Sequence, residues 1–149
     1  MRRFLLVPLL AVTLTGCSLF GQDTPCTKTG GESHVSVVRK PADFGSQDAA
    51  KIRLCVNGRC KERTTGSPDD PFMSLSVQLS DHIGASRLPV QLTVSSTKNG
   101  ETVVKDSVQA KLKKQYPNGK GRPPTIWTAT FRAHPSKGLT TPKGMKLQG

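Results

Sequence analysis

The chain has 149 residues, 34% of them hydrophobic, and a formal net charge of +12 at pH 7. That length suits one small domain. Beyond residue 14 no stretch approaches the roughly 20 apolar residues a membrane-spanning helix needs. The charge is uneven: all ten acidic residues lie at or before Asp106, and nine Lys or Arg with no acid follow Ser107.

In chain order, Arg2 and Arg3 precede an apolar run over residues 4–14, which is followed by the small pair Thr15-Gly16 and then Cys17. Eleven apolar residues fit the core of a secretory signal, about 7–15 residues, and are too few to span a bilayer. Leu14-Thr15-Gly16-Cys17 resembles the lipobox of bacterial lipoproteins. The resemblance implies removal of residues 1–16, attachment of a diacylglyceryl group to the Cys17 sulfur, and a chain held on the extracytoplasmic face of the cell membrane. Each buried CH₂ contributes about 0.8 kcal/mol of membrane affinity, so two fatty chains, unlike one, anchor durably. Losing Arg2 and Arg3 lowers the formal charge from +12 to +10. Nucleic acid, the usual partner of so basic a chain, is not expected, because the export signal argues against it.

Residues 17–33 are rich in Gly, Thr and Pro without periodicity and read as a flexible tether. Alternation of apolar and polar residues then begins. Val35 and Val37 alternate with His34 and Ser36, and Ile52, Leu54 and Val56 with Lys51, Arg53 and Cys55. Met73, Leu75, Val77 and Leu79 form the cleanest row; Leu88, Val90, Leu92 and Val94 repeat it, as do Trp127, Ala129, Phe131 and Ala133. A period of two with one apolar face marks half-buried strands. Around residues 104–112, Val104, Val108 and Leu112 also fit helical spacing, but the Asn99-Gly100 turn before them favours a strand. The expected domain is therefore all-β over residues 34–133, a small Greek-key, immunoglobulin-like β-sandwich with a small β-barrel as the alternative. Residues 134–149 read as a basic tail or one last edge strand.

Mature cysteines are Cys17, Cys26, Cys55 and Cys60. In Cys55-Val56-Asn57-Gly58-Arg59-Cys60, Asn-Gly favours a two-residue type I′ turn, which sets Val56 opposite Arg59 and Cys55 opposite Cys60. Cα atoms of such a pair lie about 4.5 Å apart, at the short end of disulfide range. The register also faces Arg53 with Glu62, and places Lys61 and Arg63 on the face of Leu54 and Ile52. There their stems can cover apolar surface while the charges reach water. A bridge from Cys26 to Cys55 or Cys60 is the competing arrangement, and either leaves one thiol over in an oxidising compartment. The stretch from Cys26 to Arg63 looks like small lipoproteins of actinobacterial type, a resemblance that implies location and fold but no chemistry.

Motifs for catalysis or cofactors are missing. His34, His82 and His134 are not spaced as metal ligands, and Cys-x₄-Cys is neither a thioredoxin-like nor a zinc spacing. Asp69-Asp70 sits in a Pro-flanked turn, where Asp favours the turn itself. Consecutive Ser80, Asp81 and His82 do not make a triad, whose members meet in space. No enzyme activity, metal or cofactor is expected.

What remains is the basic segment of Lys111, Lys113, Lys114, Lys120 and Arg122. It reads either as a solvated surface or as an anion-binding face for anionic lipid, a cell-wall polymer or an acidic protein. The expected function is a lipid-anchored, non-catalytic binding module. The alternative is an accessory subunit of an envelope complex that grips its partner through a strand edge.

Overall fold

A computed structural model describes residues 31–44, 49–65 and 73–142. The expected signal and lipobox, Cys17, Cys26, most of the expected tether, Asp69-Asp70, Lys143 and Lys146 lie outside the described residues. The regular structure of the described chain is almost wholly β: β1 (His34–Arg39), β2 (Ala50–Val56), β3 (Arg59–Thr64), β4 (Met73–Gln78), β5 (Arg87–Ser96), β6 (Thr102–Lys111), β7 (Lys113–Gln115), β8 (Ile126–His134) and β9 (Gly138–Thr140). A single 3₁₀ turn, Pro41–Phe44, follows β1.

The strands form two sheets stacked in a sandwich-like arrangement. The first has the order β4-β1-β8-β7, with β9 also paired to β8, and the second has the order β3-β2-β5-β6. Each sheet keeps free edges, so the alternative of a closed small barrel is overturned. β1 is antiparallel to β4 and parallel to β8. β7 and β9 pair with the first and last thirds of β8.

Alternation in the sequence becomes burial. β4 is buried at Met73, Leu75 and Val77 and exposed at Ser74, Ser76 and Gln78. The aliphatic rows of β2 and β5 (Ile52, Leu54, Val56; Leu88, Val90, Leu92, Val94) pack inward and form the centre of the core. Against them lie Val35, Val37, Leu75 and Val77 of the other sheet, with Trp127 and Phe131 partly buried at the margin.

β6 is a strand, and its register on β5 places Val104, Asp106, Val108 and Ala110 on the core side. The pairing slips between Val94 and Ser95, whose partners are Val104 and Thr102. Val103 is therefore the extra residue of a bulge, and it is the exposed large hydrophobic side chain among the described residues. Leu112, buried, carries the chain from the second sheet to the first between β6 and β7.

Two polar contacts fasten the end of the domain where β1 and β8 finish. Asp43 in the 3₁₀ turn accepts two hydrogen bonds from the Arg132 guanidinium of β8, at 2.8 and 2.6 Å. The Asp106 carboxylate accepts from the Leu139 amide of β9 at 2.7 Å, joining one sheet to the other. Gly138 makes room for that contact: it lies at φ +65°, and a Cβ there would come within 2.6 Å of the Asp106 Cγ. By contrast Gly100, at φ +71°, has open space around it.

Two stability outcomes follow from this packing. Leu54→Ala and Leu92→Ala, both at fully buried positions, are each expected to cost about 2–5 kcal/mol by denaturant unfolding; a loss well under 1 kcal/mol would be at odds with that packing. Gly100→Ala is expected to cost only the left-handed backbone penalty, about 1–2 kcal/mol. Gly138→Ala carries that penalty and also loses a charge-assisted hydrogen bond of about 1.5–3 kcal/mol, so it is expected to be clearly the worse of the two in the same assay.

Candidate functional site

The β2–β3 hairpin closes through Asn57 and Gly58, at φ +47° and +81°, both left-handed as a type I′ turn requires. Its register pairs Val56 with Arg59, Cys55 with Cys60 and Arg53 with Glu62. The disulfide joins Cys55 to Cys60 across a Cα separation of 4.0 Å. It lies on the outward side of the second sheet, beside a shallow concavity of about 340 Å³ lined in part by Arg53, Pro89 and Gln91.

Every residue of β3 is exposed. Lys61 and Arg63 stand opposite Leu54 and Ile52, on the core-facing side but beyond its margin. The Arg63 guanidinium crosses to the other sheet and donates to the Ser74 carbonyl of β4 at 3.1 Å. Glu62 serves two cations, Lys51 at 2.8 Å and Arg53 at 3.8 Å. The hydrogen bond from Lys51 is the main cause of a Glu62 pKa below the ordinary glutamate value; desolvation opposes it, and the charges of Lys51 and Arg53 add to the lowering.

The five basic residues singled out in the sequence lie around one end of the domain. Lys111 ends β6 and pairs with Arg87, the first residue of β5. Lys113 opens β7 opposite Thr128, and Lys114 follows opposite Trp127. The Lys114 ammonium sits over the rings of Tyr116, 5.3 Å from the centroid, and Trp127, at 5.8 Å. Lys120 and Arg122 are exposed on the β7–β8 loop. That loop is built rather than slack. The Gly119 amide donates to the Tyr116 carbonyl, the Arg122 amide to the Gly119 carbonyl, and the Asn118 side chain to the Pro123 carbonyl at 2.7 Å. Among the described residues, no carboxylate lies within ion-pair distance of Lys111, Lys113 or Lys120. Arg87 is the member that sequence reasoning missed; its place beside Lys111 follows only from the β5–β6 register.

The chain enters β1 at this same end. Gly31 lies against Pro117 and Ile126 at the root of the β7–β8 loop, and the Ser33 hydroxyl accepts from the Trp127 amide at 3.0 Å. The connection before β5 is here too, with the Leu112 amide donating to the Ser86 carbonyl. At the opposite end stand the turn after β5, the 3₁₀ turn and the β8–β9 turn, which carry Asp43 and Glu101 beside Lys98, Lys137 and Arg132.

The histidines are dispersed. The His34 ring bonds the Glu32 carbonyl, the His134 ring accepts from the Ser136 amide, and His82 is exposed in the turn after β4. Ser80, Asp81 and His82 remain neighbours in that turn, where the Ser80 hydroxyl accepts from the His82 amide at 3.4 Å. No group of three or more metal-ligating side chains occurs among the described residues. Arg39, nearly fully buried, stacks 4.6 Å from the Phe44 ring centroid, and burial pushes its pKa down.

No family model, curated protein or solved structure matches this chain.

The Glu62 pairing has a direct readout. Because its pKa is lowered in the folded state, the interaction is complete above the unfolded-state value and is lost as pH falls through the lower folded-state value. A carboxyl NMR titration is expected to give Glu62 a midpoint below the ordinary glutamate value. Lys51→Ala, or raising the salt to 1 M, is expected to move it back upward. A Glu62 midpoint at the ordinary value and indifferent to salt would contradict the pairing.

Proposed function

We propose that the protein is a lipid-anchored, extracytoplasmic, non-catalytic binding module whose basic end holds an anionic component of the cell envelope. The observation that carries this reading is the convergence of Lys111, Lys113, Lys114, Lys120 and Arg122 on one ordered corner of the domain, with Arg87 added by the register. Near an anionic surface each such residue contributes about 1 kcal/mol, so five acting together supply affinity on the order of 5 kcal/mol. That suffices to localise a domain already restrained by an anchor. The Cys17 thioether and its fatty chains supply the restraint, which fits an extracytoplasmic compartment in which the Cys55–Cys60 bridge persists. The Greek-key, immunoglobulin-like class belongs to the same reading; it is supported by connections that pass between sheets after β1, β3, β4 and β6.

A second reading rests on a different observation. The edge strand β3 is exposed along its whole length and offers unpaired backbone groups to a partner strand. An accessory subunit of an envelope complex would use it, with contacts that tolerate salt. Its basic side chains also guard the edge against unspecific pairing, so the basic end is the better supported surface.

The test has two parts. Intact mass of the mature protein is expected to show an N-terminus at Cys17 bearing at least two acyl chains, and a loss of two hydrogens for the bridge. Binding to anionic vesicles and to a teichoic-type polymer is expected to fall steeply between 0.05 and about 0.5 M salt, and to fall again when the five basic residues become Gln. Undiminished binding by the five-fold variant would overturn the basic-end reading, and salt-resistant capture of a partner that depends on β3 would replace it.

A further inference from the structure

Resting on that reading, we infer that the anion is the headgroup layer of the membrane that holds the chain, and that the domain docks on it end-on. The contact surface is the β7–β8 loop with Lys113, Lys120 and Arg122, flanked by Lys111 and Arg87.

Two independent observations meet here. The first is charge: Lys111, Lys113 and Lys120 lack carboxylate partners among the described residues, and with Lys114, Arg87 and Arg122 the cations of this end outnumber its acids, Glu32 and Asp81. The second is where the chain comes in. Gly31 lies against Pro117 and Ile126, at the foot of the loop that carries Lys120 and Arg122. A restraint acting on Cys17 therefore pulls on the domain at its basic end. Gly31 is fourteen residue steps from Cys17, and at about 3.3–3.6 Å each these span at most about 50 Å. The entry point thus stays within reach of the surface, at high effective concentration relative to the lipid.

Orientation follows from size. A strand of ten residues such as β5 is about 33 Å long, more than three Debye lengths at 0.1 M salt. With the loop end in contact, the Thr97–Gly100 turn stands beyond the field of the headgroups. Inverting the domain would draw the entry point away from the surface. A soluble wall polymer would need the same cations but would have no cause to respect the direction of the tether, which is why the lipid is favoured.

The experiment uses the full acylated protein in vesicles of phosphatidylcholine, with and without phosphatidylglycerol, read by hydrogen–deuterium exchange. Anionic lipid is expected to protect residues 113–122 and the start of β5, to leave residues 97–101 unchanged, and to lose this effect at 1 M salt. Lys111→Gln, Lys113→Gln and Lys120→Gln combined are expected to weaken association of the non-acylated domain with phosphatidylglycerol vesicles about a hundredfold, at about fivefold per residue. These side chains are exposed and lack partners, so the variant keeps its fold, which near-UV circular dichroism checks. Protection confined to residues 97–101, or none that depends on anionic lipid, overturns the inference. Binding to a teichoic-type polymer without binding to vesicles overturns it too and leaves the basic-end reading standing. Loss of binding to both sinks that reading as well.

Discussion

The aliphatic layer between the sheets is the constraint on which the rest depends. Ile52, Leu54, Val56, Val90, Leu92 and Val94 are fully buried and belong to two adjacent strands. Burying each such side chain is worth about 1.5–3 kcal/mol relative to leaving it in water. Because the side-chain period of a strand is two, a slip of one residue in either strand would turn that whole row outward. The register is therefore held by hydrophobic burial, and polar residues inherit their positions from it. Cys55 meets Cys60, Arg53 meets Glu62 and Lys111 meets Arg87 because the core rows fix where the neighbouring residues fall.

The same constraint explains how a strand with no apolar residue exists. β3 reads Arg-Cys-Lys-Glu-Arg-Thr and buries nothing on its own. It forms because the Asn57-Gly58 turn returns the chain along β2, whose inward row is anchored. The disulfide and the Glu62 ion pairs then fasten the hairpin locally. Arg63, standing beside the apolar margin, reaches the Ser74 carbonyl and closes the gap between the sheets at that side. A charged side chain on the core-facing side of an edge strand is thus a seam between layers, its stem over hydrocarbon and its head on backbone oxygen.

How much of this was legible depends on the kind of information each residue carries. Met73-Ser74-Leu75-Ser76-Val77-Gln78 and the Leu88 to Val94 row announce themselves, since one face is wet and the period is clean. β1 is harder: Val35, Ser36, Val37, Val38 and Arg39 are all buried, because the strand lies between β4 and β8 and is covered on both faces, so alternation fades. β7, Lys-Lys-Gln, is invisible to pattern reading, being exposed at all three residues and held by backbone pairing to β8. Partition of the strands into sheets is also unreadable, because a period of two tells which face is buried and not which neighbour pairs. Within the basic end, Lys111, Lys113, Lys114, Lys120 and Arg122 are close enough in sequence to be seen as a group. Arg87 comes from twenty-four residues earlier than Lys111 and joins them only through the ladder.

Placement of the basic end is itself a consequence of the topology. β8 runs parallel to β1, so the start of β1 and the start of β8 share one end of the first sheet, and the loop that feeds β8 must lie beside the point where the chain enters. The crossover at Leu112 delivers β6 to that end as well, because β6 pairs antiparallel with β5, which starts there. Any charge carried by residues 111–125 is then carried next to the entry point, whatever the loop's own conformation. A parallel β1–β8 pair is thus the feature that sets the chain's entry beside the basic loop. Had β1 run the other way, the same basic sequence would sit about 20 Å from the point where the chain enters, about two Debye lengths at 0.1 M salt.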